Sequence, residues 1–75
     1  MKRLPTLTPK KVAQVLERRG FVLQRVKGSH HCYKYPSKPE LKVVVPFHAK
    51  DIKRSLLYAI IKQADMTVEE FLDLL

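Results

Sequence analysis

The sequence predicts an α+β fold of order α-β-β-β-α with a short C-terminal helix, in which a three-stranded antiparallel sheet carries its helices on one face. Three observations predict it. A helical apolar spacing follows Thr8-Pro9 and stops at Gly20. Three β-rich runs come next, separated by Gly28-Ser29 and by Pro36-Ser37-Lys38-Pro39. A longer helical stripe then precedes a capping signature at Thr67. A meander of three strands has one face to bury, and amphipathic helices laid across that face are the compact solution.

The first helix is expected over residues 9–19. Thr8 is an N-cap residue type, and Pro9 falls at the first helical position, where its missing N–H has no intrahelical partner to lose. Val12, Val15, Leu16 and Arg19 keep near-helical spacing, and Gly20 stands where a left-handed residue ends a helix. Residues 21–27, bounded by Gly20 and Gly28, read as the first strand. After the Gly28-Ser29 turn, residues 30–35 form the second strand. Alternation puts Tyr33 and Tyr35 on one face and His30, Cys32 and Lys34 on the other. Pro36-Ser37-Lys38-Pro39 is a loop, and residues 41–45 make the third strand, ended by Pro46.

From about Ala49 to Ala64 the apolar residues Ile52, Leu56, Leu57, Ile60, Ile61 and Ala64 trace one broad stripe of a helix, with Lys50, Lys53, Arg54 and Lys62 on its other faces and His48 at its start. Thr67-Val68-Glu69-Glu70 is a capping box, with Met66 and Phe71 placed for a hydrophobic staple. The last helix, about residues 68–74, packs Phe71, Leu72 and Leu75 back on the body. This order of elements is that of a double-stranded-RNA-binding domain.

Seventy-five residues make one domain, 1–75, of modest stability. The lone cysteine, Cys32, allows no intrachain disulfide and fits a reducing compartment. No apolar run approaches the roughly 18–20 residues that span a bilayer, and no apolar stretch follows Lys2 and Arg3 as a leader would require. The expected location is the cytoplasm, without membrane contact. Fifteen basic residues against seven acidic ones give a net charge of +8. Four of the acids (Asp65, Glu69, Glu70, Asp73) lie in the last eleven residues, so residues 1–64 hold all fifteen basic and three acidic groups, a balance of +12. That asymmetry is the footprint of a polyanion partner.

Lys27-Gly28-Ser29-His30-His31 sets a histidine just past a glycine turn among cations. Cleaving RNA without a metal needs a base for the 2′-hydroxyl proton, an acid for the leaving 5′-oxygen, and cations for the phosphorane-like charge. Imidazole can serve either proton transfer near neutral pH. His30 is the candidate, against the alternative of a strand histidine packing beside Arg25 or Lys42. His31 alternates to the other face and reads as structural or partner-facing. For His48 the sequence favours an exposed cap over an approach to the site as a second acid or phosphate ligand. His30, Cys32 and His48 lack the spacing of a structural zinc site, so no metal or other cofactor is expected. Lys10, Lys11, Arg25, Lys27, Lys34 and Lys42 are the expected phosphate contacts, with Gly28, Ser29 and His48 as further contacts. Tyr33 and Tyr35 read as core or cover rather than as base-stacking platforms.

The chain resembles the HicA family of toxin components, small ribonucleases that cleave messenger RNA. The resemblance is carried by Gly20-Phe21, Gly28-Ser29-His30-His31, Val45-Pro46-Phe47-His48, Ile60-Ile61-Lys62-Gln63-Ala64 and Glu69-Glu70-Phe71-Leu72, five motifs in register. It implies a double-stranded-RNA-binding-like fold, a catalytic histidine at His30, and a HicB antitoxin partner that covers the active site. Two positions depart from the family pattern. Ser55-Leu56 stands where many members have Gly-Thr, with consequences for backbone approach to RNA. Asp65 stands where many have glycine, with consequences for a turn. The function expected is a metal-independent endoribonuclease toxin. The alternatives are a non-catalytic RNA-binding module of the same fold and an adaptor whose basic face binds only protein.

Overall fold

The computed structural model describes residues 4–48 and 50–75. Its elements run α1 (Pro9–Arg19), β1 (Val22–Lys27), β2 (His30–Tyr35), β3 (Lys38–Pro46), α2 (Arg54–Gln63) and α3 (Val68–Asp73). The strands pair antiparallel in the order β1-β2-β3, and the helices cover one face of this meander. Tyr33, Val43 and Val45 on that face meet Val12, Val15 and Leu16 of α1, Leu57, Ile60 and Ile61 of α2, and Phe71 of α3. None of these is more than 3% exposed. Removing a side chain such as Phe71 from this core forfeits about 3–5 kcal/mol.

Local chemistry sets the helix ends. The Thr8 hydroxyl accepts from the Lys11 amide at 3.2 Å, opening α1. At the other end Gly20 adopts φ 114°, its N–H reaches the Glu17 carbonyl at 3.0 Å and the Phe21 N–H reaches Leu16 at 2.9 Å. That is a Schellman closure, with buried Phe21 and Leu16 as its apolar pair. α2 ends in the same way with a different residue. Asp65 takes φ 56°, its N–H bonds the Lys62 carbonyl at 3.0 Å, and the Met66 N–H bonds Ile61 at 3.1 Å. This left-handed position is held by aspartate, one of the few residues other than glycine that tolerate it. For α3 the capping box forms in full: Thr67 Oγ1 accepts from Glu70 N at 3.1 Å, and Glu70 Oε1 accepts from Thr67 N at 2.8 Å. Met66 and Phe71, the staple positions, are both buried.

Five expectations about these elements change. β3 begins at Lys38, so Lys38 and Pro39 belong to a strand rather than a loop. Proline is admissible there because β3 is an edge strand with a register irregularity after Lys34. α2 begins at Arg54, with Lys53 as N-cap, rather than near Ala49, which lies outside the described residues. Ile52 is buried for a non-helical reason: its amide bonds the Leu7 carbonyl at 2.7 Å in an isolated bridge. Leu56 leaves the apolar stripe and is 40% exposed. At the C-terminus Leu75 is exposed, and Leu74 instead leans on the core beside Leu72.

The segment before α1 is part of the body. Leu4 and Leu7 are buried, and the Arg54 guanidinium donates to the Leu4 carbonyl at 3.0 Å. Arg18 donates to the Leu74 carbonyl at 2.6 Å and Arg19 pairs with Glu70 at 3.6 Å, tying α3 to α1.

The two Schellman closures make opposite predictions. At Gly20 an added Cβ would also meet the Tyr35 ring at 3.2 Å, so Gly20→Ala is expected to lower the unfolding free energy by about 1–2 kcal/mol. Asp65→Gly relieves a strained position and is expected to raise it by about 0.5 kcal/mol. Denaturant titration of the three proteins checks both signs. The Glu70 carboxyl is held below its ordinary 4.5, first by the Thr67 amide and, more weakly, by Arg19. A lowered value means the stabilisation is complete above the ordinary value and is lost as pH falls through the lowered one. The difference in melting temperature between the native chain and Glu70→Gln should therefore be larger at pH 7 than at pH 3.

Candidate functional site

A two-residue hairpin turn fixes where His30 lies. Gly28 has φ 59° at the first of the two central positions, where a type II′ turn places its glycine, and Lys27 and His30 pair directly across it. On its other side His30 pairs with Pro46 of β3. The Phe47 amide then bonds the Ser29 carbonyl at 2.7 Å, so the chain leaving β3 stays against the turn.

This contact brings two further rings to the hairpin. His31, on the helix-facing side of β2, stacks on Phe47 with centroids 3.8 Å apart and planes 20° apart. His30, on the open side, meets His48 edge to face, with centroids 5.7 Å apart and planes at 85°. Both His30 and His48 are exposed. The expectation that His48 caps the second helix is overturned, because that helix starts at Arg54 and its N-cap is Lys53. His48 instead forms one wall of a cleft of about 160 Å³ with Pro46, Asp51, Ile52, Lys53 and Leu56. The Ser55-Leu56 departure thus puts a leucine side chain in the cleft that His48 borders.

β1 is bulged, and the bulge decides which side chains share a face with His30. The register runs Val22↔Lys34 and Leu23↔Tyr33, then slips so that Arg25 faces Cys32 and Lys27 faces His30. With no bulge at Gln24, strict alternation from Leu23 would send Arg25 and Lys27 to the helix side. With it, Arg25, Lys27, His30, Lys34 and Lys42 all lie on the open face of the sheet, since Lys42 pairs with Lys34 across β2 and β3. Gln24, Arg25, Cys32, Lys42, Val43 and Val44 line a shallow trough there of about 290 Å³. Among the described residues none of these cations pairs with a carboxylate, whereas Arg18, Arg19 and Arg54 are engaged within the fold.

The other candidate residues fall as follows. Gly28 and Ser29 are the turn itself. Lys10 and Lys11 are exposed on α1, in the helical layer, and do not join the cations of the open face. Tyr33 is core: burial, and next the Glu17 carboxylate, push its hydroxyl up from its ordinary 10.0. Tyr35 packs edge to face on Phe21 at 5.2 Å. Among the described residues no three His, Cys, Asp or Glu side chains converge in the manner of a metal cage. Val22 and Val44, half-exposed on the open face, went unnoticed in the sequence, and the bulge at Gln24 carries no sequence signal strong enough to predict it.

The arrangement is an imidazole pair at one end of a cationic sheet face, a combination of groups that can exchange protons and attract anions. Among the described residues no helix is long and apolar enough to cross a membrane. No curated protein matches the sequence. The family model described as HicA toxin of bacterial toxin-antitoxin matches residues 9–66, a span that holds the whole sheet, the turn, His30 and His48. On that match, over most of its length, the chain belongs to the HicA toxin family.

Proposed function

We propose that the chain is the toxin of a type II toxin–antitoxin pair, an endoribonuclease that cleaves messenger RNA without a metal ion and uses His30 as general acid/base. The observation that carries this reading is the exposed His30 imidazole on the same open face as Arg25, Lys27, Lys34 and Lys42. Proton transfer by such a group contributes about 10²–10⁴-fold to a rate. The cations around it stabilise the charge that builds on phosphorus, and the Gly28-Ser29 turn lets a backbone approach closely. Lys10 and Lys11, on the helical layer, are secondary phosphate contacts in this reading. No cofactor is required.

The proposed partner is a HicB-type antitoxin acting in the cytoplasm. Fifteen basic residues against seven acidic ones favour fast capture by an acidic protein. Carboxylates laid over the open face would neutralise its cations and cover half-exposed Val22 and Val44.

The decisive experiment is cleavage of a long single-stranded RNA in EDTA by the native chain and by His30→Ala. Cleavage that survives chelation and falls at least about 10²-fold in the variant, with RNA affinity retained, is the expected result. Binding without cleavage by the native chain would leave a non-catalytic RNA-binding module. Affinity should also fall with salt, and Lys27→Ala should reduce the slope of log affinity against log salt by about 0.7 for single-stranded RNA, as removal of one phosphate contact requires. Filter-binding or anisotropy titrations across a salt series measure it.

A further inference from the structure

We infer that His48 is the second proton-transfer group of this site, forming with His30 an acid–base pair that works on a single phosphodiester. The inference rests on the reading of His30 given above and extends it to a residue that the sequence favoured as a cap.

The two aromatic contacts at the hairpin differ in kind. His31 lies flat and half-buried on Phe47, a packing contact that closes the helix side of the turn. His30 and His48 are both exposed, come from β2 and from the segment after β3, and stand edge to face with centroids 5.7 Å apart. Neither is in the hydrophobic core. Two imidazoles at this separation can each hydrogen-bond a different oxygen of one phosphate, at the roughly 2.6–3.2 Å that proton transfer needs. The anchoring is strong for so exposed a pair: His30 is held by strand pairing on both sides, and His48 directly follows Phe47, whose amide is bonded to the turn. The charged groups facing the pair are Lys27 of β1, directly opposite His30, and Asp51 and Lys53, which share the cleft with His48. Pro46 of β3 brings none.

The chemistry balances with these groups alone. A neutral imidazole takes the proton of a ribose 2′-hydroxyl as O2′ forms its bond to phosphorus. The P–O5′ bond breaks, and the imidazolium opposite gives its proton to the departing 5′-oxygen. The products are a 2′,3′-cyclic phosphate and a 5′-hydroxyl, and the pair ends with its two protonation states exchanged. Lys27 supplies charge to the phosphate without moving a proton.

The test uses the full chain, an RNA whose cleavage position has first been mapped, and His30→Ala, His48→Ala and His48→Gln. Far-UV circular dichroism and RNA affinity report that each variant is folded. The native chain should give a two-limbed pH profile of kcat/KM and the named end groups. His48→Ala and His48→Gln should each lose about 10²-fold or more in kcat at unchanged RNA affinity, with one limb of the profile gone. An oligonucleotide bearing sulfur in place of O5′ at the mapped bond has a leaving group that needs no proton. It should restore whichever alanine variant lacks the acid and leave the other impaired. The inference is overturned if His48→Ala keeps native kcat, if it raises only KM while both limbs persist, or if the sulfur substrate rescues neither variant. Native turnover by His30→Ala would instead overturn the function proposed above, and the pair with it.

Discussion

Everything at the site hangs on the phase of β2. Because successive side chains of a strand face opposite ways, burying Tyr33 in the core forces His31 to the same side and His30 to the other. A slip of one residue would drive His30 into the helical layer and bring Tyr33 into solvent. The helices therefore act on the site through the strand: by holding Tyr33 they hold the exposure of an imidazole on the opposite face. The same logic makes the bulge at Gln24 consequential. It re-phases half of β1 so that Arg25 and Lys27 join His30, while Leu23, on the near side of the bulge, keeps company with Tyr33.

Much of this was legible in the chain, and the parts that were not share a cause. α1, the turn, β2 and α3 can be read from residues whose physics is local: a threonine cap, a proline in the first turn, two glycines at positive φ, a capping box. Periodicity alone was less dependable. Ile52 fits a helical stripe by spacing, but its burial comes from pairing with Leu7, forty-five positions earlier in the chain, and no window along the sequence contains both partners. Lys38 and Pro39 look like loop residues until the edge position of β3 is known. His30 was visible because turn, strand and charge coincide within five residues. The closeness of His48 was not, since it depends on a hydrogen bond between Phe47 and Ser29.

Family membership and the geometry of the hairpin bear on different questions. The match over residues 9–66 identifies the lineage, and it ends at Met66, before the capping box of α3. The departures from the family pattern are then physical rather than nominal. Asp65 keeps the left-handed closure of α2 that glycine would give, at some cost in backbone strain. Leu56, by contrast, is half-exposed against the cleft that His48 borders, where it changes the shape and polarity offered to whatever lies in that cleft.

β1 gives the charge of the sheet a second meaning. It is an outer strand, all six of its residues are exposed, and Val22, Leu23 and Val26 are among the apolar side chains most exposed at the surface of the described residues. An open edge of that composition is a template on which another strand can grow. What guards it is mutual repulsion: Arg25 and Lys27 lie on the same strand, and two copies approaching edge to edge bring these cations together. Colloidal behaviour and the RNA binding proposed above are thereby coupled through the same two side chains. Shielding them by concentrated electrolyte, or replacing them to weaken binding, also lowers the barrier that keeps molecules of this chain apart.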